Sequence, residues 1–304
     1  MAPYLVRRAL HTLMVLLGVS VVVFFITRLG GDPAALYLPE DATTAQVQEF
    51  RERMGWDRPL VVQFGDFLLR LTRGDFGVSL RHGVPAMTLL WERVPATLEL
   101  TVMAMAIALL VSVPVGVLAG LRRNSTLDSG ARVAALLGLC IPNFWLGILL
   151  ILIFSVQLGV LPAFGRGGFA NLVLPAFTLG FSAAATIMRL LRSNVLDVLG
   201  MDYVRTARSK GLRESRVAMK HVVRNAAIPA LTVVALQLGY FLSGSIVVET
   251  VFAYPGVGRL AIQAIVNRDF AVIQAFVFMS AVFFATVNLA VDVLYTLLDP
   301  RIRY

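Results

Sequence analysis

The sequence predicts an all-α integral membrane protein with six transmembrane helices and a helical loop on one side. Three observations lead there. Mean hydropathy is +0.79. Hydrophobic residues make up 58% of the 304 and charged residues 15%, against about 25% charge in a soluble domain. Six apolar runs reach the length a bilayer core demands, roughly 20 helical residues.

The first crossing, 9–27, reads ALHTLMVLLGVSVVVFFIT between Arg7–Arg8 and Arg28. It exceeds a signal-peptide core and no small-residue cleavage site follows, so it is expected to be retained. The others are expected at 98–121, 133–160, 172–188, 227–248 and 271–297, the fourth being the shortest. Pro114, Pro142, Pro175 and Pro229 fall within them, as membrane helices tolerate. Orientation follows from Lys and Arg in the short loops. One set of segments carries sixteen: Arg7 and Arg8, Arg122, Arg123 and Arg132, nine from Arg189 to Arg224, then Arg301 and Arg303. The opposite set carries Arg166, Arg259 and Arg268, apart from a 69-residue loop too long to vote. Both termini and the basic stretch at 202–225 are therefore expected to be cytoplasmic. The chain divides into 1–27, the N-terminus and first crossing; 28–96, an external helical loop; and 97–304, a core that holds the other five crossings and the basic stretch at 202–225.

Within the loop, Thr43-Thr44-Ala45-Gln46 matches a helix capping box. Val47, Phe50 and Met54 follow at helical spacing, and Gly55 ends the segment. A second amphipathic piece runs from Leu60 through Phe64, Phe67, Leu68 and Leu71 to Gly74. Together they read as a small cap on the outer face, a plug that shields membrane helices, with a binding domain as the competing reading.

The stretch DYVRTARSKGLRESRVAMKHVVRN (202–225) holds seven bases and two acids. Asp202 can cap a short helix at 203–210, and Gly211 can end it in the left-handed conformation. Tyr203 and Ala207 lie one turn apart on one face, and Arg205 and Arg208 on another. A second helix follows Gly211-Leu212 and carries Arg213, Arg216, Lys220 and Arg224 as a basic stripe, with Val217, Val222 and Val223 away from it. Such a hairpin suits two tasks: lying on anionic head groups, or projecting into a groove on a soluble partner.

Several chemistries are not encoded. The net charge of +9 comes without a groove-reading or base-stacking motif, so nucleic acid is not an expected partner. Cys140 is alone, and His11, His82 and His221 stand apart, so no metal site is expected. No G-x-x-x-x-G-K-[ST] occurs and Lys210 and Lys220 are the only lysines, so the chain cannot cradle a nucleotide phosphate. Glu99 and Glu249 fall near the outer ends of the second and fifth crossings, and Asp292 lies in the sixth, one turn after Asn288. They are pathway candidates; helix-end solvation for the glutamates and an interhelical hydrogen bond for Asp292 are the competing readings.

The hairpin resembles the cytoplasmic loop motif of ABC-importer permeases. In place of Glu-Ala-Ala-x-x-x-Gly it reads Arg205-Thr206-Ala207, three residues, then Gly211. It is more similar to the peptide/nickel branch, matched at Asp202–Leu212 and at Arg224-Asn225-Ala226 with Pro229. LLGVSVVVFFITRLGGDP (16–33), RGDFGVSLR (73–81), ERVPATLELT (92–101), VFAYPGVGRLAIQAIVNRDFAVIQA (251–275) and LDPRIRY (298–304) extend the likeness over the whole chain, toward the first of two paired permeases in dipeptide and oligopeptide importers. The resemblance implies a type I ABC importer fold in the bacterial inner membrane. It implies no cofactor on this chain, with ATP and magnesium on the ATPase. The implied partners are a second homologous permease, two ATP-binding subunits, an extracytoplasmic substrate-binding protein and membrane lipid. Tyr203, Val204, Arg205, Ala207, Arg208 and Gly211 are the implied ATPase-coupling residues. Loops 161–171 and 249–270, with Phe252, Pro255, Gly256 and Arg259, are expected to meet the binding protein. An ion-coupled transporter using Glu249 or Asp292 is the first alternative, and a membrane-embedded enzyme the second; for the latter no nucleophile–base cluster is legible.

Overall fold

The computed structural model describes residues 2–29, 38, 42–79, 81–243 and 245–298, with the side chain of Asp292 and the terminal LDPRIRY block beyond Leu298 outside the described residues. Helices carry almost all of it: α1 Ala2–Leu29, α2 Thr44–Met54, α3 Leu60–Thr72, α4 Ala86–Leu121, α5 Thr126–Cys140, α6 Asn143–Gln157, α7 Phe169–Leu199, α8 Asp202–Ser209, α9 Glu214–Leu242, α10 Ile246–Val251, α11 Val257–Val266 and α12 Phe270–Leu298. Four of these, α4, α7, α9 and α12, are long and apolar enough to cross a bilayer unaided. Within α1 the apolar stretch is Leu10–Phe25.

The Leu10–Phe25 stretch is shorter than a full span, and segment 133–160 is not the single crossing helix expected from the sequence. It is a pair, α5 and α6, bent by 102°. Pro142 is the cause, because a proline ring excludes the preceding residue from the helical region; Ile141 is extended, with φ −77° and ψ 119°. Pro95, Pro114, Pro175 and Pro229 stay inside uninterrupted helices. Three other bounds shift. α4 begins at Ala86, twelve residues before the expected crossing, and α7 runs 31 residues rather than 17. α9 starts in the hairpin and stops at Leu242, leaving residue 249 in the separate helix α10.

Helices α4 and α7 form the centre of the molecule, and small residues let them approach. A Cβ on Gly180 would lie 2.6 Å from the Ala104 carbonyl oxygen, and one on Gly120 would lie 2.6 Å from Val195 Cγ1. Lipid tails are as apolar as leucine, so packing of this kind is what holds membrane helices together. Ala96, Leu100, Ala104, Ala108, Leu179, Ala183 and Ile187 fill the seam, with Phe241 of α9 and Phe252 and Tyr254 beyond α10. Residues 97 and 117 of α4, at opposite ends of this seam, are twenty apart, about 30 Å along a helix, or one bilayer core.

At the α2–α3 side the capping box forms: Thr43 Oγ1 accepts the Gln46 N–H at 3.4 Å, and Gln46 Oε1 accepts the Thr43 N–H at 2.9 Å. Phe64 and Phe67 of α3 place their rings 5.2 and 5.5 Å from Phe24 of α1. Phe24 is thereby buried.

Candidate functional site

The hairpin is anchored from its inner face. On α8, Val204 and Ala207 stand three residues apart and therefore share a side. Both are buried, with Val117 of α4, Val195 of α7, and Val217, Val222 and Ala226 of α9. The first seven residues after Arg216 form i→i+5 turns, Val217–Val223. Residues five apart point about 140° apart on an α-helix. The wider turns bring Val217 and Val222 back to one side, where both meet α8. Tyr203, Arg205 and Arg208 remain exposed, as do Arg213, Arg216, Lys220 and Arg224. Arg208 donates to both oxygens of Glu214, at 2.9 and 3.2 Å, tying the two arms together. Between them Gly211 adopts φ +73° with open space where a Cβ would stand.

Two of the coupling residues expected from the sequence are thereby buried. Val204 and Ala207 face the chain's own core, because the apolar cluster claims the 204/207 side of α8. Tyr203, expected to share a face with Ala207, points outward instead. Asp202 does not cap α8: Met201 occupies that position, and Asp202 lies 3.7 Å from Arg205.

Beside the hairpin, Asp128 of α5 is fully buried and ion-paired with Arg192 of α7 through Nε and through Nη2 at 2.9 Å. Its carboxylate also accepts the Asn124 N–H at 3.0 Å, and Ser125 caps α5 by accepting the Asp128 N–H at 3.2 Å. The 122–126 turn is thus pinned to the helix that leads into α8. Removing one partner of a buried pair costs about 3–5 kcal/mol. Asp128→Ala is expected to lower the thermal midpoint of the purified complex; Asp128→Ala with Arg192→Leu is expected to recover most of the loss.

At the far end of the seam lies a second polar cluster. Glu249 of α10 is completely buried. The Thr97 hydroxyl donates to its Oε1 at 2.8 Å, and the Arg259 N–H donates to Oε2 at 2.9 Å. Thr97 Oγ1 in turn accepts the Val257 N–H at 2.9 Å. Val257 and Arg259 open α11, so Glu249 caps a helix N-terminus, where the backbone amides and the dipole both favour an acceptor. Gly256 passes so close that a Cβ there would lie 2.3 Å from the carboxyl carbon. Nearby, Glu99 pairs with Arg166 at 2.8 Å and accepts the Tyr254 hydroxyl at 3.3 Å. Burial first, and the Glu99 carboxylate second, push the Tyr254 phenol up to about 12, so it stays a donor.

The family described as binding-protein-dependent transport system inner membrane component matches residues 112–304. Its N-terminal companion, the membrane component N-terminal region, matches residues 1–101. The chain belongs to the ABC-importer permeases.

Relatives match this permease end to end. The oligopeptide transport system permease protein AppB of Bacillus subtilis (strain 168) is 40% identical over 316 residues, covering 100% of both chains. The glutathione transport system permease protein GsiC of Pectobacterium atrosepticum is 43% identical over 305 residues, with the same full coverage. Among solved structures, an inward-facing MetNI methionine ABC transporter chain superposes with a TM-score of 0.58 at 18% identity, over 70% of this chain and 97% of that one. That likeness shows the fold, a type I ABC importer permease. The protein is thus a multi-pass membrane permease subunit that works with an ATPase and with other permease subunits. Nothing in these relationships favours the ion-coupled transporter.

The remaining candidates divide by exposure. Glu249 is enclosed and Phe252 buried, its ring 3.0 Å from where a Cβ on Gly147 would stand. In this conformation neither is offered to a substrate or a partner. Arg259 turns its guanidinium back to the Ala253 carbonyl at 2.6 Å. Asn288 donates to the Phe284 carbonyl of its own helix at 2.9 Å. Glu99 and Arg166 are the half-exposed pair. Sequence reasoning missed Asp128, Arg192, Thr97 and Tyr254. Ser125-x-x-Asp128 is a helix-start signature that could have flagged the first, and a charge inside an apolar helix the second. Thr97 carried no local signal.

Proposed function

We propose that this permease forms half of the translocation pathway of an ATP-driven peptide importer. The second half is a homologous permease of similar size, two ATP-binding subunits drive the pair from the cytoplasm, and an extracytoplasmic binding protein delivers the substrate. ATP and magnesium belong to the ATPase. The substrate class is di- and oligopeptides, including glutathione-like peptides, and end-to-end similarity to AppB and GsiC supports it.

The hairpin 202–225 is the coupling element, and the observation that carries this reading is its two-sided construction. The exposed side offers Tyr203, Arg205 and Arg208 to a groove on the ATPase. The buried side, Val204 and Ala207, is bolted to the ends of α4, α7 and α9. A push received at Arg205 is therefore delivered to three helices at once, and closure of the ATPase swings the permease between inward- and outward-facing states. The hairpin and both termini are cytoplasmic, a placement that the distribution of Lys and Arg supports. The Glu99–Arg166 pair and the loops at 161–171 and 249–270 then face outward, toward the binding protein and the incoming peptide.

Two measurements test this. Ser209→Cys in a Cys140→Ser background is expected, in intact cells, to resist membrane-impermeant thiol reagents and to react after permeabilisation; labelling in intact cells overturns the orientation. The permease is expected to copurify with an ATPase and, in proteoliposomes with its binding protein, to accumulate labelled peptide only when ATP is supplied. Uptake that survives without ATP overturns the assignment.

A further inference from the structure

Between α5 and α7, at the hairpin end, lies a cavity of about 260 Å³ lined by Ala131, Arg132, Ala135, Leu136, Met188, Arg189 and Arg192. Its floor is apolar and its rim is cationic. Three guanidiniums converge on it, against the single carboxylate of Asp128, which Arg192 already engages. Arg132 approaches the same carboxylate only to 3.9 Å and is otherwise held by Ser129. Arg189 has no ion-pair partner among the described residues and is exposed. Leu136 of the lining and Leu139, three residues further along α5 and so on the same side, are exposed and continue the apolar surface away from the rim.

We propose that this cavity binds an anionic glycerophospholipid. A phosphate set among Arg132, Arg189 and Arg192 matches the excess positive charge, and an acyl chain lies along Leu136 and Leu139. A water-soluble anion would use the rim alone and a neutral lipid the apolar wall alone, whereas an anionic lipid uses both. Basic pockets between membrane helices at the cytoplasmic surface recognise acidic head groups in this way. Assigning the lipid to the inner leaflet rests on the orientation proposed above; the site itself does not. The bound lipid bridges α5 and α7 beside the Asp128–Arg192 pair, at the root of the coupling hairpin.

The test uses the intact complex in nanodiscs with equal phosphatidylglycerol and phosphatidylethanolamine, extracted gently and weighed by native mass spectrometry. Phosphatidylglycerol adducts are expected to dominate. In Arg132→Gln/Arg189→Gln they are expected to fall by about fivefold for each guanidinium removed, while Arg213→Gln/Arg216→Gln, on the hairpin stripe, leaves them unchanged. Equal retention of both lipids, or equal losses in the two double variants, overturns the site in favour of a diffuse surface charge. Leu136→Cys that crosslinks to the second permease overturns it in favour of a subunit contact. The complex recovered on size exclusion shows that each variant is folded, and the labelling of Ser209→Cys settles the orientation separately.

Discussion

Glu249→Ala is expected to strip the folded permease from the membrane rather than merely slow transport. The carboxylate receives the Thr97 hydroxyl and the Arg259 N–H inside a fully buried pocket. Each buried donor left without an acceptor costs about 1–3 kcal/mol, so the two together cost about 2–6 kcal/mol. A domain's whole stability is about 5–15 kcal/mol, so the lower figure is already a large fraction. The expected result is a low yield of complex on size exclusion, with a depressed thermal midpoint in what remains. Glu249→Gln keeps an acceptor oxygen and is expected to lie between wild type and alanine. Gly256→Ala attacks the same pocket sterically, since its methyl collides with the carboxyl carbon, and is expected to resemble Glu249→Ala. Had Glu249 instead been a residue that meets peptide in transit, alanine would give normal yield and thermal midpoint with impaired uptake. That outcome would return it to the pathway.

This cluster also marks where sequence reading stopped. The four long apolar spans, the capping box at Thr43 and the glycine-ended helix at 202–211 are written in short-range signals: hydropathy over twenty residues, a side chain three positions ahead, a residue tolerant of positive φ. Each is local, and each was legible. Glu249 stood out as a charge in an apolar region, yet its partner Thr97 is 152 residues away, and no local pattern announces such a contact. The same limit explains Phe252 and Arg259, which look like exposed loop residues until the loop folds back on its own carboxylate. Pro142 was misread for a different reason. Pro95, Pro114, Pro175 and Pro229 lie inside helices without breaking them, whereas Pro142 breaks one, because neighbouring helices decide whether a freed carbonyl is re-satisfied. On α8 the error was one of facing. Helical spacing groups Tyr203 with Ala207 as readily as Val204 with Ala207, and only packing against Val195 and Val217 chooses between them.

Gly211→Val is expected to separate hydrolysis from transport. At φ +73° a β-branched residue is strained by about 1–2 kcal/mol or more, which shifts the balance between the native turn and relaxed alternatives by roughly 5- to 30-fold. Nothing lies within 4 Å of the missing Cβ, so the penalty is conformational and the membrane helices are untouched. α8 then meets the ATPase at the wrong angle while Val204 and Ala207 still hold it to the bundle. Insertion and complex yield are expected to be normal, ATP hydrolysis to persist, and peptide uptake per ATP to fall by at least the same 5- to 30-fold range. Gly211→Asn supplies the control, because asparagine visits the left-handed region at modest cost and is expected to restore most of the uptake. If valine transports as well as glycine, the angle set at this turn does not matter to coupling. If valine and asparagine fail equally, with hydrolysis lost in both, the residue acts through assembly with the ATPase rather than through the geometry of the push.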